Sequence, residues 1–117
     1  MKYLFRRKNE KVKKSLRKNT KMSFLETPAN PTRILSDIEE ICKIAGEIGA
    51  LAVVDNTFAT PRFQRALKLG ADVVVHSSTK YMGGHADLLG GVIVGRKKLM
   101  KYKETLKIFL KIKLTDE

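Results

Sequence analysis

The 117-residue chain has a single cysteine, Cys42. One thiol closes no intramolecular disulfide, which excludes the cross-linked secreted scaffolds and fits a reducing interior. Long apolar runs are missing as well. The basic N-terminus carries only Tyr3-Leu4-Phe5, far short of a secretory core, and nothing later approaches the roughly 20 residues that cross a bilayer. These absences point to a cytoplasmic chain with no membrane partner. No internal repeat argues for a solenoid. Histidine is scarce: His76 and His85 lie nine apart, neither a helical i, i+4 pair nor a finger spacing, so even with Asp87 nearby no metal site is expected.

Acid is the scarcer charge, and the formal net charge is +12. That excess sits at the two ends. Residues 1–21 hold ten Lys/Arg against one acid and residues 96–117 hold eight against three, whereas residues 22–95 hold six against eight. A nucleic-acid reader would interleave its cations with aromatics or carry a recognition motif; here the chemistry-bearing words lie in the slightly acidic middle. No specific nucleic-acid partner is expected. Salt-sensitive sticking of the flanks to polyanions is, and a basic polyanion-binding protein is one alternative reading of the whole chain.

The middle reads as alternating strands and helices. Charges alternate with Val12 and Leu16 from Glu10 to Lys18, a weakly amphipathic helix. Met22–Glu26 reads as a strand running into a proline-stiffened loop that holds Asn30. Ser36 or Asp37 caps a helix to about Ile48 with a continuous apolar stripe of Ile34, Ile38, Ile41, Cys42, Ala45 and Ile48, and Gly49 ends it. Leu51-Ala52-Val53-Val54 is apolar on both faces, as a covered parallel strand is, and Asp55 follows at its C-terminal end. A short helix after Pro61 through Leu67 leads to a second such strand, Asp72–His76, which delivers Ser77, Thr79 and Lys80. Open α/β sheets bind ligands at that edge. A glycine-rich turn from Gly83 to Gly91, the strand Val92–Val94 and a basic helix from Lys97 to Leu110 complete a three-layer α/β order with a mostly parallel sheet.

An aspartate at one strand end and a lysine just past the next are what an aldehyde cofactor requires, because an amine condenses with a carbonyl. Local sequence leaves blander readings open: Asp55 capping a turn, Lys80 a solvated lysine, Ser77 and Thr79 an ordinary turn, Asn30-Pro31 a turn signal. One feature separates Lys80 from the other lysines. It is the only Lys or Arg between Lys68 and Arg96. Three words in order, Glu26-Thr27-Pro28-Ala29-Asn30-Pro31, Val53-Val54-Asp55-Asn56-Thr57 and His76-Ser77-Ser78-Thr79-Lys80-Tyr81-Met82-Gly83-Gly84-His85, resemble the pyridoxal-phosphate enzymes of cysteine and methionine metabolism. That family includes the cystathionine synthases and lyases and methionine γ-lyase.

The resemblance implies a partial large domain of the fold type I pyridoxal-phosphate transferase fold over residues 10–110, with 1–9 and 111–117 unmatched. It implies Lys80 as the Schiff-base lysine and proton carrier, and Asp55 as partner of the cofactor's ring nitrogen. Ser77 and Thr79 become hydroxyls for its phosphate, and Asn30 an amide near its ring oxygen. Thr57 would line the same pocket. The implied activity is a lyase or transferase of trans-sulfuration, acting on cystathionine, methionine, cysteine or activated homoserine, in a family whose full-length members form homotetramers. The glycine loop for the phosphate, the stacking tyrosine and the substrate-gripping arginine of that family have no counterpart in these residues. A truncated enzyme, or a non-catalytic remnant of one, is therefore expected.

Overall fold

The computed structural model describes residues 2–84 and 87–100. Along them run α1 (Lys2–Ser15), β1 (Met22–Glu26), α2 (Ile38–Glu47), β2 (Leu51–Asp55), α3 (Thr60–Phe63), a 3₁₀ turn (Ala66–Leu69), β3 (Val73–Ser77), a π-type turn (Ser78–Met82), β4 (Gly91–Gly95) and α4 (Lys97–Met100). The strands form one sheet in the order β1-β2-β3-β4. β1, β2 and β3 are parallel and β4 is antiparallel to β3. Parallel neighbours need a crossover, and α2 and then α3 with the 3₁₀ turn supply the two that exist. The fold is the expected α/β class with a mostly parallel sheet.

α2 forms where the stripe places it. The Asp37 side chain accepts from the Glu40 N–H at 3.1 Å, and Glu39 and Glu40 sit in the first turn, where negative charge suits the helix dipole. Ile38, Ile41, Cys42 and Ala45 bury one face. At the far end Gly49 adopts φ +71°, the Ala50 N–H reaches Ala45 O at 2.9 Å and the Gly49 N–H reaches Gly46 O at 3.1 Å. This is a Schellman closure, which needs a left-handed residue that glycine provides without steric cost. The 3₁₀ turn closes in the same way at Gly70, φ +98°, with the Ala71 N–H on Ala66 O at 3.1 Å.

The sheet is apolar on both faces. Ala52, Val54 and Val74 pack with Ile38, Cys42, Ala45 and Ala66 on one side. Val53, Val73 and Val75 pack on the other with Met22, Ile93 and with Leu99 and Met100 of α4. Each fully buried valine stabilises by about 1.5–3 kcal/mol relative to exposure. At the N-terminal edge Asp72 fixes the strands: its carboxylate accepts from the Ala52 N–H and its own N–H donates to Ala52 O, both at 2.9 Å. Arg96 approaches the same carboxylate at 3.8 Å, but its guanidinium is largely in water, so the pair contributes little.

Two elements depart from the sequence reading. α1 starts at Lys2, not Glu10, because no Gly or Pro interrupts its Lys- and Arg-rich first turns. It stops at Ser15, short of Lys18, where the Thr20 hydroxyl takes the Arg17 N–H at 2.9 Å in competition with the helix. The helix expected from Pro61 to Leu67 breaks in two, with Gln64 extended between the pieces. Gln64 is drawn out by hydrogen bonds: its Nε2 donates to Thr27 O at 2.8 Å and Asn56 Oδ1 at 2.7 Å, while Asn56 Nδ2 donates to Gln64 O at 2.7 Å. α4 occupies the start of the basic helix expected to Leu110, whose remainder lies outside the described residues. No helix among the described residues is long and apolar enough to cross a membrane.

Candidate functional site

The C-terminal ends of β1 and β2 present Glu26 and Asp55 side by side, and β3 runs two residues further to bring Ser77 beside Thr57. Glu26 and Asp55 are register partners on adjacent parallel strands, so two carboxylates stand about 4.8 Å apart in backbone spacing at one edge. The loops that leave these strands complete a cleft of about 750 Å³, with Asn30 from the first, Thr57 and Phe58 from the second, and Lys80, Tyr81 and Gly84 from the third. That volume lies within the ordinary range of small-molecule and cofactor sites.

Asn30, Asp55, Thr57, Ser77 and Lys80 therefore share one cavity. Thr79 does not line it. Its Oγ1 instead accepts from the Gly90 N–H at 3.0 Å and donates to Gly90 O at 3.3 Å. Glu26, Phe58, Tyr81 and Gly84 line the cleft without having been singled out in the sequence. Glu26 carried a usable signal, since it ends β1 as Asp55 ends β2. Phe58 and Tyr81 carried none beyond adjacency to Thr57 and Lys80; their rings meet edge to face at 5.9 Å.

The side chains are held by local bonds. Asp55 Oδ1 accepts the Thr57 N–H at 3.0 Å, an Asx turn that fixes the carboxylate, and Oδ2 has no hydrogen bond among the described residues. Thr57 Oγ1 accepts the Ser77 N–H at 2.8 Å and so ties the ends of β2 and β3 together. Lys80 is solvent-exposed and sits mid-turn with φ −91° and ψ −119°, out of the helical path of its neighbours. The polar lining is one amine, two carboxylates, one amide and three hydroxyls, the Tyr81 phenol among them. An aldehyde-bearing aromatic cofactor with a cationic ring nitrogen and a phenolic oxygen fits that set: an amine to condense, a carboxylate for the nitrogen, an amide for the oxygen.

Period-two alternation sends His76 to the opposite face from Ser77. There it borders a second cavity of about 410 Å³ with Asn56, Gln64 and Val94, and its Nδ1 is buried without a hydrogen-bond partner among the described residues. Burial pushes its pKa below the usual 6.5, an effect that the Asn56 backbone and the Asp55 charge partly oppose. Burial, and secondarily the negative charge of Asp72, raises the Cys42 thiol to about 11. Among the described residues no three His, Cys, Asp or Glu gather to hold a metal ion. His85 lies outside them.

The family model described as "Cys/Met metabolism PLP-dependent enzyme" matches residues 1–111. The chain is 51% identical over 89 residues to cystathionine gamma-lyase of Bacillus subtilis, covering 76% of this chain and 24% of that protein. It is 52% identical over 91 residues to L-methionine gamma-lyase of Fusobacterium nucleatum subsp. nucleatum, covering 77% and 23%. The fold resembles the crystal structure of cystathionine gamma-lyase from Lactobacillus plantarum complexed with L-serine, with a TM-score of 0.77 and 38% identity, covering 89% of this chain and 28% of that one. The chain thus spans about a quarter of the length of these relatives.

Proposed function

Because the chain belongs to the family of PLP-dependent enzymes of cysteine and methionine metabolism, we propose that it captures pyridoxal 5'-phosphate in the cleft through Lys80. The observation that carries this reading is the single cleft lined by Lys80, Asp55, Asn30, Thr57 and Ser77. Bound pyridoxal phosphate supplies an electron sink for an amino-acid substrate. Asp55, fixed by the Thr57 N–H, holds the cationic form of a ring nitrogen with its second oxygen, since a nearby carboxylate favours the charged state. Lys80 Nζ would hold the aldehyde through its amine, and as a free amine it would carry a proton at the substrate. Asn30 donates its amide to the ring oxygen and Ser77 faces the phosphate, while the Thr79 hydroxyl is held on Gly90 outside the cleft. Thr57 sets the gap between Asp55 and Ser77.

The reaction class we propose is elimination or replacement at carbon–sulfur or activated homoserine bonds, with cystathionine, methionine, cysteine or an activated homoserine as substrate. The matched relatives named as gamma-lyases support it. The same reading gives the whole enzyme a cytoplasmic location and a homotetrameric assembly, without a specific nucleic-acid partner.

The test is an absorbance titration of the purified chain with pyridoxal phosphate, watching for the yellow band of lysine-bound cofactor, with Lys80→Ala as control. A band in the wild type that borohydride fixes at Lys80 and that the variant lacks supports the reading. A band of equal strength in the variant, or none in either, rejects it.

A further inference from the structure

Thr79 is the one residue of the Lys80 turn whose side chain is committed to backbone elsewhere. Its Oγ1 both accepts from the Gly90 N–H at 3.0 Å and donates to Gly90 O at 3.3 Å. The Ser78 and Thr79 N–H groups converge on the same carbonyl at 2.9 and 3.4 Å. Gly90 is the residue before β4, and the fit is close: a Cβ there would stand 2.7 Å from Ser78 Oγ. The other end of the turn is pinned by the Gly83 N–H on Ser78 O at 2.7 Å. Lys80 lies between these two fastenings, in the conformation that departs from the turn around it.

We propose that Thr79 is a positioning residue that latches the Lys80 turn to Gly90, so that it acts on the lysine rather than on a phosphate. The proposal rests on the cofactor reading above. Its physical content is that the one hydroxyl proton goes to Gly90 O, while a lone pair holds the Gly90 N–H. Loss of the latch frees the segment before Lys80 to leave the sheet edge, and Nζ then spends less time over the cleft. This role does not depend on any phosphate, which makes it separable from the one implied by the family resemblance.

The experiment compares wild type, Thr79→Val and Thr79→Ser as full chains, each treated with pyridoxal phosphate or with pyridoxal, which has no phosphate, and then reduced with borohydride. Peptide mass spectrometry reads the labelling of Lys80 relative to exposed Lys68. The latch predicts that Thr79→Val lowers this ratio about fivefold with both aldehydes, the equilibrium worth of one net hydrogen bond, and that Thr79→Ser restores it. A loss confined to pyridoxal phosphate, no loss at all, or a serine that fails to restore the ratio overturns the proposal. A wild-type ratio near one sinks the cofactor reading itself, a different result from a high wild-type ratio that Thr79→Val leaves unmoved. Should Thr79→Val fail to fold, amide exchange at Gly90 in the wild type decides: slow exchange is expected, and exchange as fast as in an open loop overturns the latch.

Discussion

Replacing Gln64 with leucine should damage this fold more than its surface position suggests. The carboxamide satisfies two acceptors on other elements, Thr27 O at the exit of β1 and Asn56 Oδ1 at the exit of β2. Thr27 and Asn56 are each 1% exposed, so water does not readily replace the lost donor. Leucine keeps the volume and removes the donor. Orphaning a buried acceptor costs about 1–3 kcal/mol, and Gln64 is itself only partly buried, so the two together come to about 3 kcal/mol. With an m-value of about 1.5 kcal/mol/M, the urea midpoint falls by about 2 M. The assay is equilibrium urea unfolding followed by circular dichroism, repeated for Asn56→Leu and for the double variant. Because the two carboxamides are mutual partners, the double variant should cost clearly less than the sum of the singles. A shift under about 0.3 M for Gln64→Leu, or strict additivity, would refute the network as a determinant of stability.

Three further outcomes follow from the same structure. His76 is buried with its pKa below 6.5, so below that pH the unfolded chain binds a proton that the folded chain refuses. Stability is full above about pH 6.5 and falls as the pH drops towards the folded value; urea midpoints from pH 8 to 5 should show that slope, and His76→Gln should flatten it. Cys42, with its thiol raised to about 11, should resist a disulfide-exchange reagent at pH 8 until denaturant is added, and prompt labelling of the native chain would contradict its burial. Gly83→Ala places a Cβ 2.6 Å from Ser78 O, so it should abolish cofactor capture at Lys80 in an absorbance titration while the far-ultraviolet spectrum stays native.

The sheet was legible because its strands are short, apolar and bounded. Val53-Val54 and Val73-Val74-Val75 carry no polar residue to confuse the period, and Asp55 and Lys80 follow strands that run in the same direction. Their arrival at one edge is a consequence of parallel pairing. The break at Gln64 was not legible, since it depends on Thr27, 37 residues earlier in the chain. Nothing in Pro61-Arg62-Phe63-Gln64-Arg65 reports that partner. The same holds for Thr79, whose hydroxyl meets Gly90 across a turn that local sequence leaves undetermined. Glu26 is hidden for a different reason: prolines follow its strand at once, and the turn signal of Asn30-Pro31 masks the strand-end carboxylate.

Gly49 and Gly70 close two different helical segments in one form, and each closure is followed at once by a strand of five residues. The register then sets Val53, the third residue of β2, against Val73, the first of β3, and Asp55 against Val75. Each glycine fixes where its own strand enters the sheet, and the cleft opens at the far end of those strands, roughly 15 Å away. A residue that forbade the left-handed turn at either glycine would slide one strand against its neighbour, misaligning Asp55 and Lys80 without touching either.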